Sequence, residues 1–229
     1  MKNKEFLVSN RIAHRGIHSI FLENTLLAFE EAMNQNYAIE LDVRLTKDQQ
    51  VVVFHDSNLK RIFQIDQEVR DLTLDELKKY QSIPTLIEVL ELVKGKVPLL
   101  IEIKYDNRVG VLEKKISELL DYYSGEYAIM SFNPLSVLWF RLNRPHYVRG
   151  YLVHSLLPDN FLLRFFLNPN LLKYMIQPDF LGINLVGLED AKLQKLRKKY
   201  PIIGYTIKNK QQLEKYLKAA DNFIYDDLK

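Results

Sequence analysis

The fold is decided by the stretch at residues 11–56, which reads RIAHRGIHSIFLENTLLAFEEAMNQNYAIELDVRLTKDQQVVVFHD. Within it, Glu40 and Asp42 lie two apart in a run that is otherwise apolar. Such a run predicts a buried strand, and side chains two apart in a strand project from the same face. Because burying an unpaired carboxylate is very costly, the pair indicates a bound cation, a basic partner or contact with water.

A second apolar run repeats this arrangement further along the chain. The apolar run at residues 98–104 ends with Glu102 and Lys104, which again lie two apart. If the two strands share a sheet, Glu40, Asp42 and Glu102 converge into an oxygen-rich site that suits a hard divalent ion. Ordinary salt bridges to nearby basic side chains are an alternative. Salt bridges explain the pattern less well, because they do not require a third carboxylate, Glu102, to have the same two-residue spacing on the next strand.

The apolar run at residues 51–54 predicts a further strand soon after Asp42. A crossover to a parallel neighbour needs roughly a dozen residues or more, so this strand is expected to return antiparallel, as a hairpin. The turn falls near residues 47–50. The returning strand therefore brings His55 back beside Glu40 and Asp42.

Strand and helix patterns alternate along the whole chain. The strand candidates are residues 11–14, 37–43, 97–103, 127–131, 148–153, 180–185, 201–206 and 222–225. Helical periodicity marks residues 25–36, 86–94, 109–123, 135–142, 160–175, 189–199 and 211–219. Eight strands with intervening helices predict an α/β fold, a closed parallel barrel of the TIM (β/α)8 type. Active sites of such barrels gather at the C-terminal ends of the strands.

Length and hydrophobic content predict one domain over residues 1–229, with a short irregular insertion at residues 57–85. The chain stops soon after the last strand, so the final helix of the barrel is expected to be missing. Its absence would leave apolar outer faces of the first and last strands in need of cover from the N-terminal segment, a second copy or lipid. A homodimer and membrane contact are therefore hypotheses.

The charge pattern excludes some classes of partner. The 32 basic and 29 acidic residues are spread evenly and sum to +3, which is unlike a nucleic-acid footprint. With no cysteine, the chain has neither a disulfide framework nor a thiolate metal site. No early apolar segment is long enough for a secretory signal, so a cytoplasmic protein is expected.

Six short motifs, in order, resemble the glycerophosphodiester phosphodiesterase family. They are His14-Arg15-Gly16, Glu23-Asn24-Thr25, Glu40-Leu41-Asp42, Thr46-Lys47-Asp48, His55-Asp56 and Glu102-Ile103-Lys104. No single motif is specific, but the ordered set is. Weaker similarity continues at residues 131–134, 204–207 and 224–226, so the resemblance covers nearly the whole chain.

The resemblance implies a metal-dependent barrel enzyme that hydrolyses glycerophosphodiesters to sn-glycerol 3-phosphate and an alcohol. It implies His14 and His55 as the acid and base pair, without saying which is which. One divalent cation, Mg²⁺ or Ca²⁺ with Mn²⁺ as a further candidate, would be held by Glu40, Asp42 and Glu102. The nucleophile is either water or a neighbouring hydroxyl of the substrate.

Two basic residues beside these carboxylates suit a small-molecule phosphodiester. The guanidinium of Arg15 offers a fork of donors and Lys104 offers a point charge, so both are predicted to bind phosphate oxygens. Asn24 and Thr25 are predicted as the N-cap of the following helix. Glu23 is expected to brace the loop that carries Arg15.

Other readings fit parts of the sequence. The apolar stretch at residues 156–185 would suit a lysophospholipase D-like activity on lysophospholipids. The chain departs from the family at Gln49, where a turn glycine is usual, and at Tyr205 and Lys208 near the substrate pocket. The departure at Gln49 bears on the type of turn. Those at Tyr205 and Lys208 would fit a phosphodiester-binding module that has lost turnover, although both histidine motifs are intact.

Overall fold

A computed structural model of the chain describes residues 4–80, 82–104, 108–153, 172–185 and 195–226. Within these ranges, nine strands form one sheet: β1 (Ile12–His14), β2 (Ala38–Leu45), β3 (Val51–Val53), β4 (Leu99–Ile103), β5 (Tyr127–Ser131), β6 (Val148–Val153), β7 (Phe180–Asn184), β8 (Ile202–Ile207) and β9 (Asn222–Tyr225). Eight of them are parallel, and β1 pairs with both β2 and β9, which closes the barrel. The predicted parallel barrel and its eight strands are confirmed.

Helices and helical turns connect these strands. They are α1 (Phe6–Ser9), α2 (Leu26–Asn34), α3 (Lys60–Phe63), a 3-10 turn (Val69–Asp71), α4 (Leu74–Leu77), α5 (Leu86–Val93), α6 (Val111–Leu120), α7 (Pro134–Asn143), a π-helical turn (Leu172–Ile176) and α8 (Lys210–Tyr216). Five predicted helices coincide with α2, α5, α6, α7 and α8. The predicted helices at residues 160–175 and 189–199 lie largely outside the described residues. Within the described ranges, no helix has the length and apolar character that crossing a membrane needs.

Local capping explains where several helices begin. Thr73 and Thr85 each accept a hydrogen bond from the backbone of a glutamate three residues on, and that glutamate bonds back to the threonine N–H. This reciprocal arrangement satisfies donors that the first helical turn leaves free, and a cap of this kind stabilises a helix by about 1 kcal/mol. The Thr73 cap begins α4 within the crossover, and the Thr85 cap begins α5, where the crossover through residues 57–85 ends.

The barrel interior is filled by inward-facing side chains and sealed at its N-terminal end by α1. Phe6 and Leu7 are buried in one cluster with residues from the early part of several strands, including Phe180. The amide of Asn222 in β9 donates to the carbonyls of Leu7 and Asn10, at 2.8 and 2.7 Å. The N-terminal end of the barrel is thereby closed by an apolar cluster and by hydrogen bonds from Asn222 to α1 and to the residue that follows it.

Gly150 in β6 makes room for the ring of Phe180. A Cβ at this position would lie 2.2 Å from the ring of Phe180 on the neighbouring strand. No rotamer change of a side chain at residue 150 relieves such a contact, because the Cβ itself overlaps the ring. The pairing of a glycine with a phenylalanine is therefore what fills this layer of the barrel.

The outer faces of the first and last strands are covered in the described structure. Ala13 of β1 is buried in a cluster with Phe29 of α2, and Phe223 of β9 is buried in a cluster with Tyr216 of α8. The cover that the sequence analysis calls for is thus supplied, for these residues, by α2 and α8 of the same chain. Dimerisation and membrane contact stay untested predictions without the exposed faces that motivated them.

The predicted hairpin is confirmed, and its turn keeps a glycine-like conformation without glycine. β3 runs antiparallel to β2, with Val43 opposite Val53. Gln49 has φ 60°, in the left-handed region. A non-glycine residue there costs roughly 1–2 kcal/mol. The backbone N–H of Gln50 donates to the Thr46 hydroxyl at 2.9 Å, which helps to hold the turn.

Candidate active site

The loop after β1 is shaped by two residues in the left-handed region. Arg15 has φ 56° and Gly16 has φ 79°. A Cβ on residue 16 would lie 2.7 Å from the backbone carbonyl of Ala28, so only glycine fits against α2. The turn directs the backbone N–H of Arg15 to Glu40 Oε2, at 3.1 Å. The His-Arg-Gly motif therefore contributes a backbone hydrogen bond to Glu40 as well as its side chains.

Three carboxylates meet at the C-terminal ends of β2 and β4. Glu40 and Asp42 are each 1% exposed and Glu102 is 8% exposed. The strand register places Asp42 directly opposite Glu102. Each of the three offers an oxygen within 4.8 Å of the others. The structure thus brings together the carboxylate cluster (Glu40, Asp42, Glu102) that the period-two spacing predicts, and its role as a metal site stays a prediction.

Two cations contact the carboxylate cluster. Lys104 Nζ lies 2.8 Å from Asp42 Oδ1 and 2.5 Å from Glu102 Oε1. Arg15 Nε lies 3.1 Å from Asp42 Oδ2, and its Nη1 donates to Glu23 Oε1 at 2.9 Å. Glu23 thus braces Arg15, as expected from the sequence. Both predicted phosphate-binding side chains reach the cluster.

Asn24 was predicted as part of a helix cap, and that prediction is wrong. Only Thr25 caps α2, by accepting from the backbone N–H of Ala28. Asn24 is 2% exposed, has φ 57°, and donates from its amide to Asp42 Oδ2 at 2.8 Å. Asparagine tolerates the left-handed region better than most residues. That tolerance, beside a motif glutamate, is the signal that would have separated Asn24 from Thr25.

The cluster has three carboxyl groups and two basic neighbours, so it would have excess negative charge with every group ionised. Burial, together with Asp42 and Glu102, raises the pKa of Glu40 well above its ordinary value. Burial also raises the pKa of Glu102, despite Lys104. For Asp42, burial is outweighed by Lys104 and Arg15, which hold its pKa well below the usual range. A buried, all-oxygen donor set with unbalanced negative charge fits a hard divalent cation.

His14 is paired with an aspartate from the far end of the chain. Its Nδ1 bonds to Asp226 Oδ1, and His18 Nε2 lies 3.2 Å from the same oxygen. Burial tends to raise the pKa of Asp226, but the hydrogen bonds from both imidazoles hold it well below the usual range. Sequence reasoning left His18 unassigned and gave Asp226 no role. Asp226 lies within a matched motif, whereas no motif marks His18.

His55 has an aspartate partner that is its neighbour in sequence. His55 Nδ1 lies 2.6 Å from Asp56 Oδ1. Arg61 binds the same aspartate, Nε to Oδ2 at 2.7 Å, and also binds Glu23, Nη1 to Oε2 at 3.0 Å. Burial and the nearby Lys104 lower the pKa of His55, although Asp42 opposes the shift. Arg61 comes from the crossover at residues 57–85, which no motif marks.

The histidines and cations border one cavity of about 560 Å³. Its lining includes His14, Arg15, His55, Glu102 and Lys104, together with Phe132, Asn184, Tyr205, Lys208, Lys215 and Tyr216. The Tyr205 hydroxyl donates to the carbonyl of Val153 at 2.8 Å, and its ring packs edge-on against Phe132. Tyr205 and Phe132 therefore form an aromatic wall of the cavity. Glu40 and Asp42 lie buried next to the cavity.

Comparison with known proteins agrees with this geometry. The sequence model of the glycerophosphoryl diester phosphodiesterase family matches residues 14–228. A glycerophosphodiester phosphodiesterase from Caldanaerobacter subterraneus subsp. tengcongensis is 32% identical, over 94% of this chain and 93% of that protein. The matched region includes all the motif residues named above.

Solved structures share the barrel. A glycerophosphodiester phosphodiesterase from Thermotoga maritima superposes with a TM-score of 0.79 at 30% identity, over 94% of this chain and 93% of that one. An Oleispira antarctica phosphodiesterase, in complex with the product sn-glycerol-3-phosphate, has a TM-score of 0.83. At 24% identity, over 96% of this chain and 94% of that one, it supports the fold alone. The chain therefore belongs to the enzyme family of glycerophosphoryl diester phosphodiesterases.

Proposed function

We propose that this enzyme hydrolyses glycerophosphodiesters to sn-glycerol 3-phosphate and an alcohol, with one divalent cation, Mg²⁺ or Ca²⁺, and Mn²⁺ as an alternative. One observation carries the proposal: two histidines, each paired with an aspartate, border the same cavity as a guanidinium and an ammonium beside three carboxylates. We also propose that residues 1–229 form one barrel domain, since the family match spans residues 14–228.

Glu40, Asp42 and Glu102 would hold the cation, because they form a buried all-oxygen set whose negative charge exceeds that of its basic neighbours. When bound, such an ion polarises a phosphoryl oxygen and neutralises charge that develops in the transition state. Asn24 positions Asp42 through its amide. The backbone N–H of Arg15 does the same for Glu40.

Arg15 and Lys104 would bind the phosphodiester oxygens. Glu23 and Asp42 hold the guanidinium of Arg15 at the edge of the cavity, so its fork is oriented before substrate arrives. Lys104 borders the same cavity and supplies a compact positive charge. Pre-oriented donors of this kind stabilise a charged transition state without reorganising during the reaction.

His55 would act as the base and His14 as the acid. The lowered pKa of His55 keeps its imidazole neutral near pH 7, and the bond from Nδ1 to Asp56 leaves Nε2 with a free lone pair. The bond from His14 Nδ1 to Asp226 orients the imidazole and leaves Nε2 to face the leaving group. The nucleophile's O–H loses its proton to His55 while its oxygen forms a new bond to phosphorus. The phosphorus–oxygen bond to the alcohol breaks, and His14 protonates the departing alkoxide.

The test is a substrate screen that identifies the phosphorus-containing product by ³¹P NMR. Glycerophosphodiesters and lysophospholipids are each incubated with Mg²⁺, Mn²⁺ or Ca²⁺, or with EDTA. The expected result is sn-glycerol 3-phosphate from the diesters, with a divalent ion only. A transient cyclic phosphate would identify the neighbouring hydroxyl as the nucleophile.

Two outcomes would favour the rival functions. Lysophosphatidic acid as the main product would support the lysophospholipase D-like activity instead. Binding of diesters without turnover, with every ion, would support a binding module. A variant with both His14→Asn and His55→Asn, purified in parallel, controls for contaminating hydrolases.

A further inference from the structure

A second group of possible metal ligands lies beside the carboxylate cluster and has a different chemistry. His14 ends β1, His18 follows in the next loop, and Asp226 follows β9. His18 Nε2 lies 3.2 Å from Asp226 Oδ1, and His14 Nδ1 bonds to the same oxygen. One ligand atom from each residue lies within 4.8 Å of the others. We name this the His14–His18–Asp226 cluster.

We propose that the His14–His18–Asp226 cluster is an inhibitory site for a borderline divalent cation such as Zn²⁺. The inhibitory part of the proposal rests on the acid–base role proposed for His14. The binding part does not depend on any activity of the enzyme.

The donor set decides which ions each group of residues prefers. Two imidazole nitrogens and one carboxylate suit zinc, whereas the all-oxygen carboxylate cluster suits magnesium or calcium. Three protein ligands with a fourth position open are also the arrangement of zinc sites that exchange their fourth ligand. One barrel mouth therefore presents two groups of ligands that select different ions.

The distances are close to what zinc needs. Zinc bonds to nitrogen and oxygen at about 2.0–2.2 Å, so tetrahedral ligand atoms lie roughly 3.3–3.5 Å apart. The 3.2 Å between His18 Nε2 and Asp226 Oδ1 already matches this separation. The His14–Asp226 contact is shorter than that and must lengthen when an ion enters. Only side-chain movements are required.

The cluster is accessible, and two of its members are held by paired strands. The side chains of His14, His18 and Asp226 are 20%, 27% and 22% exposed, so an ion reaches them from solvent. Parallel pairing of β1 with β9, Ala13 opposite Tyr225, places His14 and Asp226 side by side.

Zinc in this cluster would stop His14 from transferring protons. Coordination forms a bond between the metal and Nδ1, and the proton that Nδ1 donates to Asp226 is released to solvent. The ring then keeps its remaining proton on Nε2 and has no free nitrogen with which to become imidazolium. His14 is thereby lost to either acid or base catalysis, while the carboxylate cluster is untouched.

The binding test is calorimetric titration of Zn²⁺ into protein without a polyhistidine tag, in saturating Mg²⁺. His18→Asn is expected to weaken zinc binding at least about 10-fold. His146→Asn is the matched control, because His146 is exposed and outside the cluster. Glu102→Gln disables the carboxylate cluster and is expected to leave this zinc affinity unchanged. Equal zinc affinity in wild type and His18→Asn would overturn the site.

The activity test uses the same variants on a glycerophosphodiester. His18→Asn is expected to keep its Mg²⁺-supported rate within a few-fold and to need at least about 10-fold more Zn²⁺ for half inhibition. Equal zinc inhibition in both proteins would refute the inhibitory role. If no diester is hydrolysed at all, the proposed function fails, and calorimetry still decides the zinc site. His18→Gln replaces His18→Asn if circular dichroism shows that the latter is misfolded.

Discussion

The carboxylate cluster and the two histidine–aspartate pairs lie at the same end of the barrel, yet their surroundings are opposite. Glu40, Asp42 and Glu102 are almost fully buried, and their like charges lie close together. Burial and the two neighbouring carboxylates therefore raise the pKa of Glu40. His14 and His55 are partly exposed, and each bonds to an aspartate that also has a second partner, His18 for Asp226 and Arg61 for Asp56. These surroundings suit the roles that we propose, cation binding for the cluster and proton transfer for the pairs.

The largest expected effect comes from removing either histidine. His14→Ala and His55→Ala are each expected to lower kcat by roughly 10²- to 10⁴-fold, the range for loss of one positioned acid or base. Divalent-cation affinity should stay within a few-fold of wild type, because neither histidine belongs to the carboxylate cluster. Steady-state kinetics and calorimetry check the two halves. A large loss of Mg²⁺ affinity in either variant would contradict the separation of the carboxylate cluster from the histidine–aspartate pairs.

The division of roles between the histidines is tested by changing the leaving group. A nitrophenol departs without needing a proton, so His14→Ala should recover most of its activity on a nitrophenyl diester. His55→Ala should not, since the nucleophile still needs a base. Rates for both variants on both substrates decide this. Equal rescue of the two variants contradicts the assignment of His14 as acid and His55 as base.

Removing a carboxylate should act on the cation first. Glu40→Ala, Asp42→Ala and Glu102→Ala are each expected to weaken Mg²⁺ or Ca²⁺ affinity by roughly 10- to 100-fold or more, with activity falling in parallel. Glu113→Gln is the matched control, because Glu113 is also buried but lies outside the carboxylate cluster. It bonds to Gly110, the N-cap of α6, and to Ser136 of α7. Unchanged ion affinity in all three variants would rule out the carboxylate cluster as the metal site.

Arg15→Lys keeps the charge and loses the fork. A lysine cannot contact Asp42 and Glu23 while also offering a second donor to phosphate, so kcat/KM is expected to fall about 10-fold, as for one charged hydrogen bond. The melting temperature should move little, and less than kcat/KM. Arg11→Lys, at an exposed arginine, is the control for both measurements. Wild-type kcat/KM in Arg15→Lys would place Arg15 outside the substrate site.

The smallest effect is a pH-dependent gain in stability. Because the pKa of Glu40 is raised on folding, the folded protein keeps a proton that the unfolded chain releases above the ordinary carboxyl pKa. The stability contributed by Glu40 therefore falls as pH rises from that value toward neutrality. Without divalent ions, Glu40→Gln should be more stable than wild type by about 1 kcal/mol at pH 7 and by less at pH 4. Urea unfolding in EDTA at both pH values checks this, and a gain at pH 4 as large as at pH 7 would contradict it.

Local patterns were enough to predict the carboxylate cluster and the hairpin. The period of two in β2 and β4 placed Glu40, Asp42 and Glu102 on one face, and a short connection after Asp42 required an antiparallel return. These inferences succeed because strand geometry alone determines them.

The partners of the catalytic side chains could not be predicted in the same way. His14 and Asp226 are 212 positions apart, and their contact depends on closure of the whole barrel. Arg61 reaches Asp56 and Glu23 from a crossover without a periodic pattern. The role of Asn24 depends on a left-handed backbone angle, which sequence indicates only weakly. Such contacts depend on tertiary structure, so residue spacing does not encode them.

Closure of the barrel between β1 and β9 also has a kinetic consequence. Joining segments about two hundred residues apart costs roughly 5 kcal/mol in chain entropy, whereas β2 and β4 are much closer along the chain. A transient opening of the β1–β9 pairing separates His14 from Asp226 and leaves Glu40, Asp42 and Glu102 in place. Local opening of this one strand pair would therefore interrupt the proton transfer that we propose for His14, while the cation proposed for the carboxylate cluster stays bound. The turnover rate would then depend on the local unfolding equilibrium of a single strand pair.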